Sequence, residues 1–152
     1  METLHRYPLI FNPKAKSQKG ERTLRFLMDH ANRFALYATN HENEARELAA
    51  KFAAEGEPVV VAAGGDGTLN AVVNGLMGSG TALGVIPAGT MNVFARELGM
   101  PFDSLPKCFE IIERGNVQEI DLFEANGKPF LQMAGVGFDA MVIEETTWES
   151  KK

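Results

Sequence analysis

The chain has 152 residues, of which 45% are hydrophobic and 23% charged, with a formal net charge of −5 at pH 7. This length predicts one domain with a real core, and the acidic balance argues against nucleic acid as a partner. The single cysteine, Cys108, excludes a disulfide framework and a thiolate metal cluster. No run reaches the roughly 20 apolar residues that a membrane span needs. We therefore expect a cytoplasmic protein.

The first predicted strand covers residues 7–11 and ends at Asn12 and Pro13, which open a polar loop. Ligands bind at the carboxyl ends of strands in open parallel sheets, so Asn12 is a candidate ligand contact as well as a turn residue. Apolar residues at helical spacing predict an amphipathic helix over residues 21–32, and a second strand follows over residues 34–38.

Thr39 follows the second predicted strand and precedes a helix predicted over residues 42–54. Two interpretations of Thr39 stay open at this point. Its hydroxyl could face a ligand at the edge of the sheet, or it could cap the helix that follows.

The next strand, residues 59–63, runs into Gly64, Gly65, Asp66, Gly67 and Thr68, and a helix is predicted over residues 69–77. Such a junction is a candidate phosphate site. We expect its glycines to allow positive φ and close approach of a ligand, while the helix amides and dipole attract anionic oxygen. Thr68 is predicted to cap the helix.

Asp66 places a carboxylate in this anion-attracting turn. That arrangement is unfavourable unless the carboxylate meets a cation or a substrate hydroxyl. The alternative is that Asp66 only stabilises the turn through its side-chain oxygen. Asp66 is the candidate catalytic residue of the chain.

A fourth strand is predicted over residues 83–86 and ends in a second glycine-containing turn with Gly89, Thr90 and Asn92. Two strand-turn-helix junctions would then converge on one crevice, as a nucleoside triphosphate requires. A further helix is predicted over residues 105–114.

The period of the pattern changes after this helix. Residues 117–123 alternate apolar with polar or acidic side chains, and Asn126 with Gly127 predicts a hairpin before a strand over residues 129–134. We therefore expect a nucleotide-binding α/β domain over residues 1–116 and the start of a β-rich domain over residues 117–152. Unpaired opening strands would favour a homodimer.

The string GGDGT at residues 64–68 resembles the signature of the superfamily that contains diacylglycerol kinases, sphingosine kinases and NAD kinases. The Asn-Pro start at residue 12 and the segment 87–96 are similar to the diacylglycerol kinase catalytic domain in particular. The tail from residue 120 to 140 resembles the opening of that family's second domain. Four positions depart from the family pattern: Lys16, Ala71, Val93 and Gln132.

The resemblance implies a Rossmann-like parallel sheet flanked by helices, followed by the opening strands of an incomplete β-rich domain. It implies ATP and Mg²⁺ as cofactors and transfer of the γ-phosphoryl group to a diacylglycerol-like lipid hydroxyl at the inner membrane surface. No metal ligand or catalytic base can be named in this chain, which is expected to be inactive alone. The implied nucleotide contacts are Asn12, Pro13, Lys14, Ala15, Lys16, Thr39, Gly64, Gly65, Gly67, Thr68, Leu69, Asn70, Ala71, Gly89, Thr90 and Asn92.

Two alternatives stay open on sequence alone. An NAD kinase shares GGDGT, although Asn12 with Pro13 and the turn from Gly89 to Asn92 favour a lipid kinase. A non-catalytic nucleotide-binding or interaction module is also compatible with Ala71 and Val93.

Overall fold

The structure is a computed structural model that describes residues 6–13 and 18–145. Its elements follow one another along the chain as β1 (Tyr7–Phe11), α1 (Gln18–Asp29), β2 (Phe34–Ala38), α2 (Glu42–Ala54), β3 (Val59–Gly64), α3 (Asp66–Leu76), β4 (Ala82–Pro87), α4 (Val93–Glu97), α5 (Leu105–Arg114), β5 (Phe123–Ala125), β6 (Lys128–Phe130) and α6 (Phe138–Glu145).

The first four strands form one parallel sheet in the order β2-β1-β3-β4. Their sequences are continuously apolar because both faces of the sheet are covered, and Leu9, Ile10 and Val61 are fully buried. The chain adds β2 on one side of β1 and then β3 on the other. The strand order therefore reverses between β1 and β3, which places the topological switch point at their carboxyl ends. The predicted Rossmann-like α/β fold is confirmed.

Helices cover the sheet on both faces. On one face, Leu27 of α1 and Phe109 and Ile112 of α5 pack in one cluster with Leu9 and Val61 of the sheet. On the other face, the Phe52 ring of α2 packs against Tyr37 of β2 with ring centroids 4.7 Å apart. Burying each such side chain contributes about 1.5–3 kcal/mol, so the sheet edge that carries the turns rests on a well-packed support.

Helices α2 and α3 lie close together because small residues meet at their contact. A Cβ atom added to Gly75 would overlap the Arg46 carbonyl oxygen and lie 2.7 Å from the Cβ of Ala49. This packing fixes the position of α3 and therefore of the turn that precedes it.

Two helix boundaries differ from the prediction. Helix α1 spans Gln18–Asp29, earlier than the predicted 21–32. It ends where Nδ1 of His30 hydrogen-bonds the Phe26 carbonyl (2.8 Å) and the chain turns towards β2. Helix α3 begins at Asp66, three positions before the predicted residue 69.

The described residues divide into two compact units between Asp121 and Leu122. In the second unit, β5 and β6 pair antiparallel around Asn126 and Gly127, whose φ angles of 51° and 74° suit a tight hairpin turn. The predicted hairpin is confirmed. Both strands are shorter than predicted, because residues 117–122 and 131–134 form no strand. Helix α6 was not predicted, and apolar side chains in this unit, Val136 and Phe138 among them, are largely exposed.

Candidate nucleotide site

Four strand ends converge on one edge of the parallel sheet. Residue Asn12 follows β1, Thr39 follows β2, Gly65 follows β3 and Ala88 follows β4. Backbone hydrogen bonds continue the pairing to the strand ends, with the Thr39 N–H donating to the Phe11 carbonyl (2.9 Å) and the Ala88 N–H to the Gly64 carbonyl (3.0 Å). Of the predicted site residues, Asn12, Thr39 and Gly65 therefore lie at the carboxyl edge of the sheet, where open α/β folds bind ligands.

The first glycine turn, residues 64–68, leads from β3 directly into α3. Gly65 is the N-cap of this helix, and it has no side chain that could accept a hydrogen bond from the first helical amides. The early N–H groups of α3, including those of Gly67 and Thr68, therefore lack a capping side chain from the N-cap position. The prediction that Thr68 caps the helix is wrong, since Thr68 lies inside the first helical turn.

The glycines of this turn provide space instead of unusual backbone angles. None of the three glycines Gly64, Gly65 and Gly67 has a positive φ angle, and φ of Gly65 is −90°. The predicted positive φ is therefore wrong. A Cβ on Gly64 would lie 2.6 Å from the Thr68 Oγ1, and a Cβ on Gly65 would lie 3.2 Å from the Cα of Gly89. A larger residue at Gly64 or Gly65 would therefore disturb the packing of the turn.

The second glycine turn, residues 88–92, is closed by the side chain of Asn92. The Gly89 N–H donates to Oδ1 of Asn92 (2.9 Å), and Nδ2 of Asn92 donates to the Gly89 carbonyl (2.7 Å). Asn92 is fully buried and adopts the left-handed conformation, with φ 48° and ψ 51°. Asparagine tolerates this conformation better than most residues, so the residue type matches the backbone.

The two glycine turns touch each other. A Cβ added to Gly89 would overlap the Cα of Gly65, so the backbones meet without any side chain between them. Asp66 adds a polar link, because its Oδ1 accepts a hydrogen bond from the Phe94 N–H (3.2 Å) at the start of α4. Convergence of the two turns was predicted, but this link was not.

Thr39 is buried and bound to the neighbouring strand. Its Oγ1 donates to the Phe11 carbonyl (3.2 Å), and only 2% of the residue is exposed. It does not cap α2, as one of the two open interpretations had it. His41 caps that helix, with its Nδ1 accepting from the Glu44 N–H (3.3 Å).

The remaining predicted contacts fall in different environments. Leu69 and Ala71 lie in the core, and the Leu69 N–H donates to the Gly65 carbonyl, so the structure does not present their side chains to a ligand. Asn70 is partly exposed, and Thr90 and Pro13 are exposed. Lys14, Ala15 and Lys16 lie outside the described residues.

Two neighbours of the turns were missed as site residues. The Nε of Arg96 donates to the Met91 carbonyl (2.8 Å), a contact that stabilises the second turn. The Arg96 guanidinium also lies 4.6 Å from the ring centre of Phe102. Glu42 lies beside the first turn, with Oε1 3.2 Å from a Cβ placed on Gly67. The motif around Arg96 gave a signal, whereas nothing in the sequence pattern singled out Glu42.

The carboxylates at this edge bear on metal binding. Among residues 6–13 and 18–145, no group of three or more His, Cys, Asp and Glu side chains could hold a metal ion. Mg²⁺ usually binds through one or two carboxylates together with substrate phosphates. Asp66 and Glu42 fit that pattern only as partners of a phosphate-bound ion.

In the same described ranges, no helix is long and apolar enough to cross a membrane.

The parallel sheet with two glycine turns at its switch point is typical of α/β proteins that bind nucleotides. Comparison with known families identifies which of these the chain belongs to. The model of the diacylglycerol kinase catalytic domain matches residues 6–125, and the chain belongs to this family.

Named relatives agree with this assignment. The chain is 41% identical over 103 residues to a diacylglycerol kinase of Bacillus subtilis, covering 66% of this chain and 34% of that protein. It is 33% identical over 144 residues to a diacylglycerol kinase of Staphylococcus saprophyticus, covering 91% and 47%. A crystal structure of a diacylglycerol kinase from Bacillus anthracis matches with a TM-score of 0.71 and 25% identity, covering 95% and 53%. The chain thus spans about a third to half of the length of these relatives.

Proposed function

We propose that this chain is the ATP-binding part of a lipid kinase, which transfers the γ-phosphoryl group of ATP to the hydroxyl of a diacylglycerol-like lipid. Family membership and the names of the relatives support the reaction class. The observation that carries the proposal is the first glycine turn. Its helix begins at the switch point of a parallel sheet, and its N-cap, Gly65, supplies no capping side chain.

The residues of the first turn would hold the phosphates. The amides of Gly67 and Thr68 lie at the positive end of α3, where anionic oxygen is stabilised by the dipole and by hydrogen bonds. The glycines keep the surface of the turn free of side chains, so that phosphate oxygens can reach the backbone. Asn12, at the end of β1, would lie along the nucleotide, and the buried Thr39 would support this edge through its bonds to Phe11.

Asp66 would act near the transferred group. A carboxylate beside a triphosphate is favourable only when a cation neutralises it or a hydroxyl donates a hydrogen bond to it. Mg²⁺ brought by the nucleotide would supply that positive charge. Among the described residues, Asp66 and the exposed Glu42 are carboxylates at the first turn that could face such an ion. Phosphoryl transfer depends chiefly on positioning and charge neutralisation, which backbone amides and one carboxylate can provide in part.

The proposal assigns nucleotide binding, and not lipid turnover, to this chain alone. The relatives are two to three times longer than the matched region, and we infer that the lipid-facing groups lie in the portion they have in addition. The lipid would be met at a membrane surface. The exposed apolar side chains of the second unit support the predicted self-association, which light scattering would test against a monomer.

A second candidate function is a nucleotide-binding module without catalysis. The observation that favours it is that Asp66 already accepts the Phe94 N–H, and that Val93 and Ala71 replace polar residues of the family pattern. Both functions predict nucleotide binding, and they differ in whether phosphate leaves the nucleotide.

Titration calorimetry with ATP and ADP, with and without Mg²⁺, tests the proposal. We expect weak binding that Mg²⁺ strengthens. We expect Gly65→Val to abolish it, because a branched side chain would strike Gly89 and cover the amides of the turn. Gly80→Ala is the matched control, since a Cβ there meets nothing within 4 Å and φ is not positive. Equal affinity of wild type and Gly65→Val, or no binding by wild type, would contradict the assignment.

A further inference from the structure

Asp66 links the two glycine turns through a hydrogen bond to the backbone. This bond suggests a structural role for Asp66 that is separate from any action on the substrate. It is the first residue of α3, and its Oδ1 accepts the N–H of Phe94, a residue of α4. The two residues are 28 positions apart in the chain. The hydrogen bond therefore joins two helices that are separated along the chain by β4 and its flanking loops.

Several amides in the second turn and in the helix that follows it donate hydrogen bonds within the protein. The Gly89 N–H donates to Asn92, the Phe94 N–H to Asp66, and the Arg96 N–H to the Asn92 carbonyl (3.0 Å). Helix α4 has only five residues, so its dipole is small compared with that of the longer α3. The Gly89 and Phe94 amides, being bonded within the protein, are poorly suited to bind phosphate.

Contact between the turns makes the shape of one depend on the other. The backbones of Gly65 and Gly89 are too close for a Cβ on either residue without a shift. Two hydrogen bonds from the Asn92 side chain fix the position of Gly89. A displacement of the second turn would consequently move Gly65, the residue from which the phosphate-binding helix starts.

We infer that Asp66 is a positioning residue, which fastens the second glycine turn against the first so that residues 88–94 form a rigid wall behind the phosphate site. This inference rests on the proposed function for its nucleotide readout, whereas the hydrogen bond itself is tested without nucleotide. The acceptor oxygen is what the role requires. Asparagine retains that oxygen and alanine removes it.

The experiment compares Asp66→Asn and Asp66→Ala with wild type by ATP titration and by hydrogen exchange at the Phe94 amide. Asp66→Ala should exchange Phe94 at least about tenfold faster and bind ATP about 10- to 100-fold more weakly, the scale of a lost charge-assisted hydrogen bond. Asp66→Asn should stay within about threefold of wild type in ATP affinity, since the acceptor remains.

Two controls separate positioning from general effects. Asp103→Ala removes an exposed aspartate of equal charge and should leave both readouts unchanged. Gly75→Ala should lower stability through the contact between α2 and α3 without raising local exchange at Phe94 relative to the other core amides. If Asp66→Ala does not fold, Gly89→Ala takes its place, and it should weaken ATP binding by displacing Gly65.

The outcomes are decisive in each direction. Fast Phe94 exchange and weak binding in Asp66→Ala alone support the inference. Unchanged Phe94 exchange in Asp66→Ala overturns it, as does an equal loss of ATP affinity in Asp66→Asn and Asp66→Ala, which would assign the effect to charge. If wild type binds no ATP, the proposed function fails, and the Phe94 exchange still decides the positioning role.

Discussion

The two glycine turns of this chain look alike in sequence and differ in construction. Both follow a parallel strand, both contain glycine and threonine, and both precede a helix. The first opens an 11-residue helix whose N-cap is a glycine without a capping side chain. The second opens a five-residue helix and is closed by a buried asparagine. The difference teaches that two turns with similar glycine patterns can differ in whether a side chain of the protein occupies their backbone groups, and open N–H groups at a helix start are what anion binding requires.

Asp66→Asn should produce the largest effect, and it should do so on chemistry. In a chimaera that joins this chain to the remaining portion of the Bacillus subtilis diacylglycerol kinase, we expect kcat to fall by roughly a hundredfold or more, the scale for a positioned charged group. Nucleotide affinity should change little because the Phe94 hydrogen bond keeps its acceptor. Steady-state kinetics check this, and a near-normal kcat would leave Asp66 with its positioning role only.

Asn92→Ala should affect stability more than any single change in the first turn. It removes two hydrogen bonds of a fully buried amide and places alanine in the left-handed conformation. We expect a loss of about 2–4 kcal/mol in the free energy of unfolding, measured by urea denaturation. Asn43→Ala, at an exposed helix position, is the control and should change little. An equally small effect for Asn92 would mean that the second turn does not depend on its closing residue.

Much of this fold could be predicted from the chain because local signals and burial agree. The strands of the sheet are short apolar runs bounded by turn residues, as in Val59 to Gly64, and the hairpin at Asn126 and Gly127 is specified by residues that accept positive φ. The prediction of a strand over residues 117–122 was wrong, because an alternating pattern does not by itself provide a partner strand for pairing.

The location of the candidate site could be predicted from the sequence, but the contacts that hold its two turns together could not. The pattern located the turns, but the reason for glycine in the first turn is space: Gly64 approaches Thr68 within the same turn, and Gly65 approaches Gly89, which is distant in sequence. The pairing of Asp66 with the Phe94 amide is a tertiary contact to the backbone. No residue-type pattern reports such a contact.

A pair of substitutions within the first turn sharpens the same comparison. Gly64→Ala should cost about 1–3 kcal/mol, because the new Cβ would overlap the Thr68 side chain and shift α3. Gly67→Ala should be neutral or stabilising by up to about 1 kcal/mol, since its Cβ meets only the end of the flexible Glu42 side chain and alanine favours helix. Thermal unfolding of both variants checks this. Equal losses would refute the claim that space, and not backbone conformation, selects Gly64.

The smallest effect concerns the turn after β2, where Glu44 supports the capped end of α2. The Asn40 N–H donates to the Glu44 carboxylate (2.6 Å), which with nearby His41 lowers the pKa of Glu44. Because the folded-state pKa is lowered, the stabilisation is present above the ordinary glutamate range and is lost as pH falls through the folded pKa. Glu44→Gln should lower Tm slightly near neutral pH and hardly at all in acid. An equal shift at both pH values would contradict this linkage.

The most direct test of the account is amide chemical-shift mapping of the chain titrated with ATP and Mg²⁺. We predict that the largest changes occur at Gly67 and Thr68, with smaller ones at Asn12 and Thr39. The Gly89 and Phe94 amides should change less and stay protected from exchange, because their hydrogen bonds are internal. Shifts that are largest at residues 88–94, or that fall outside the edge formed by the four strand ends, would contradict the assignment of the first glycine turn as the phosphate site.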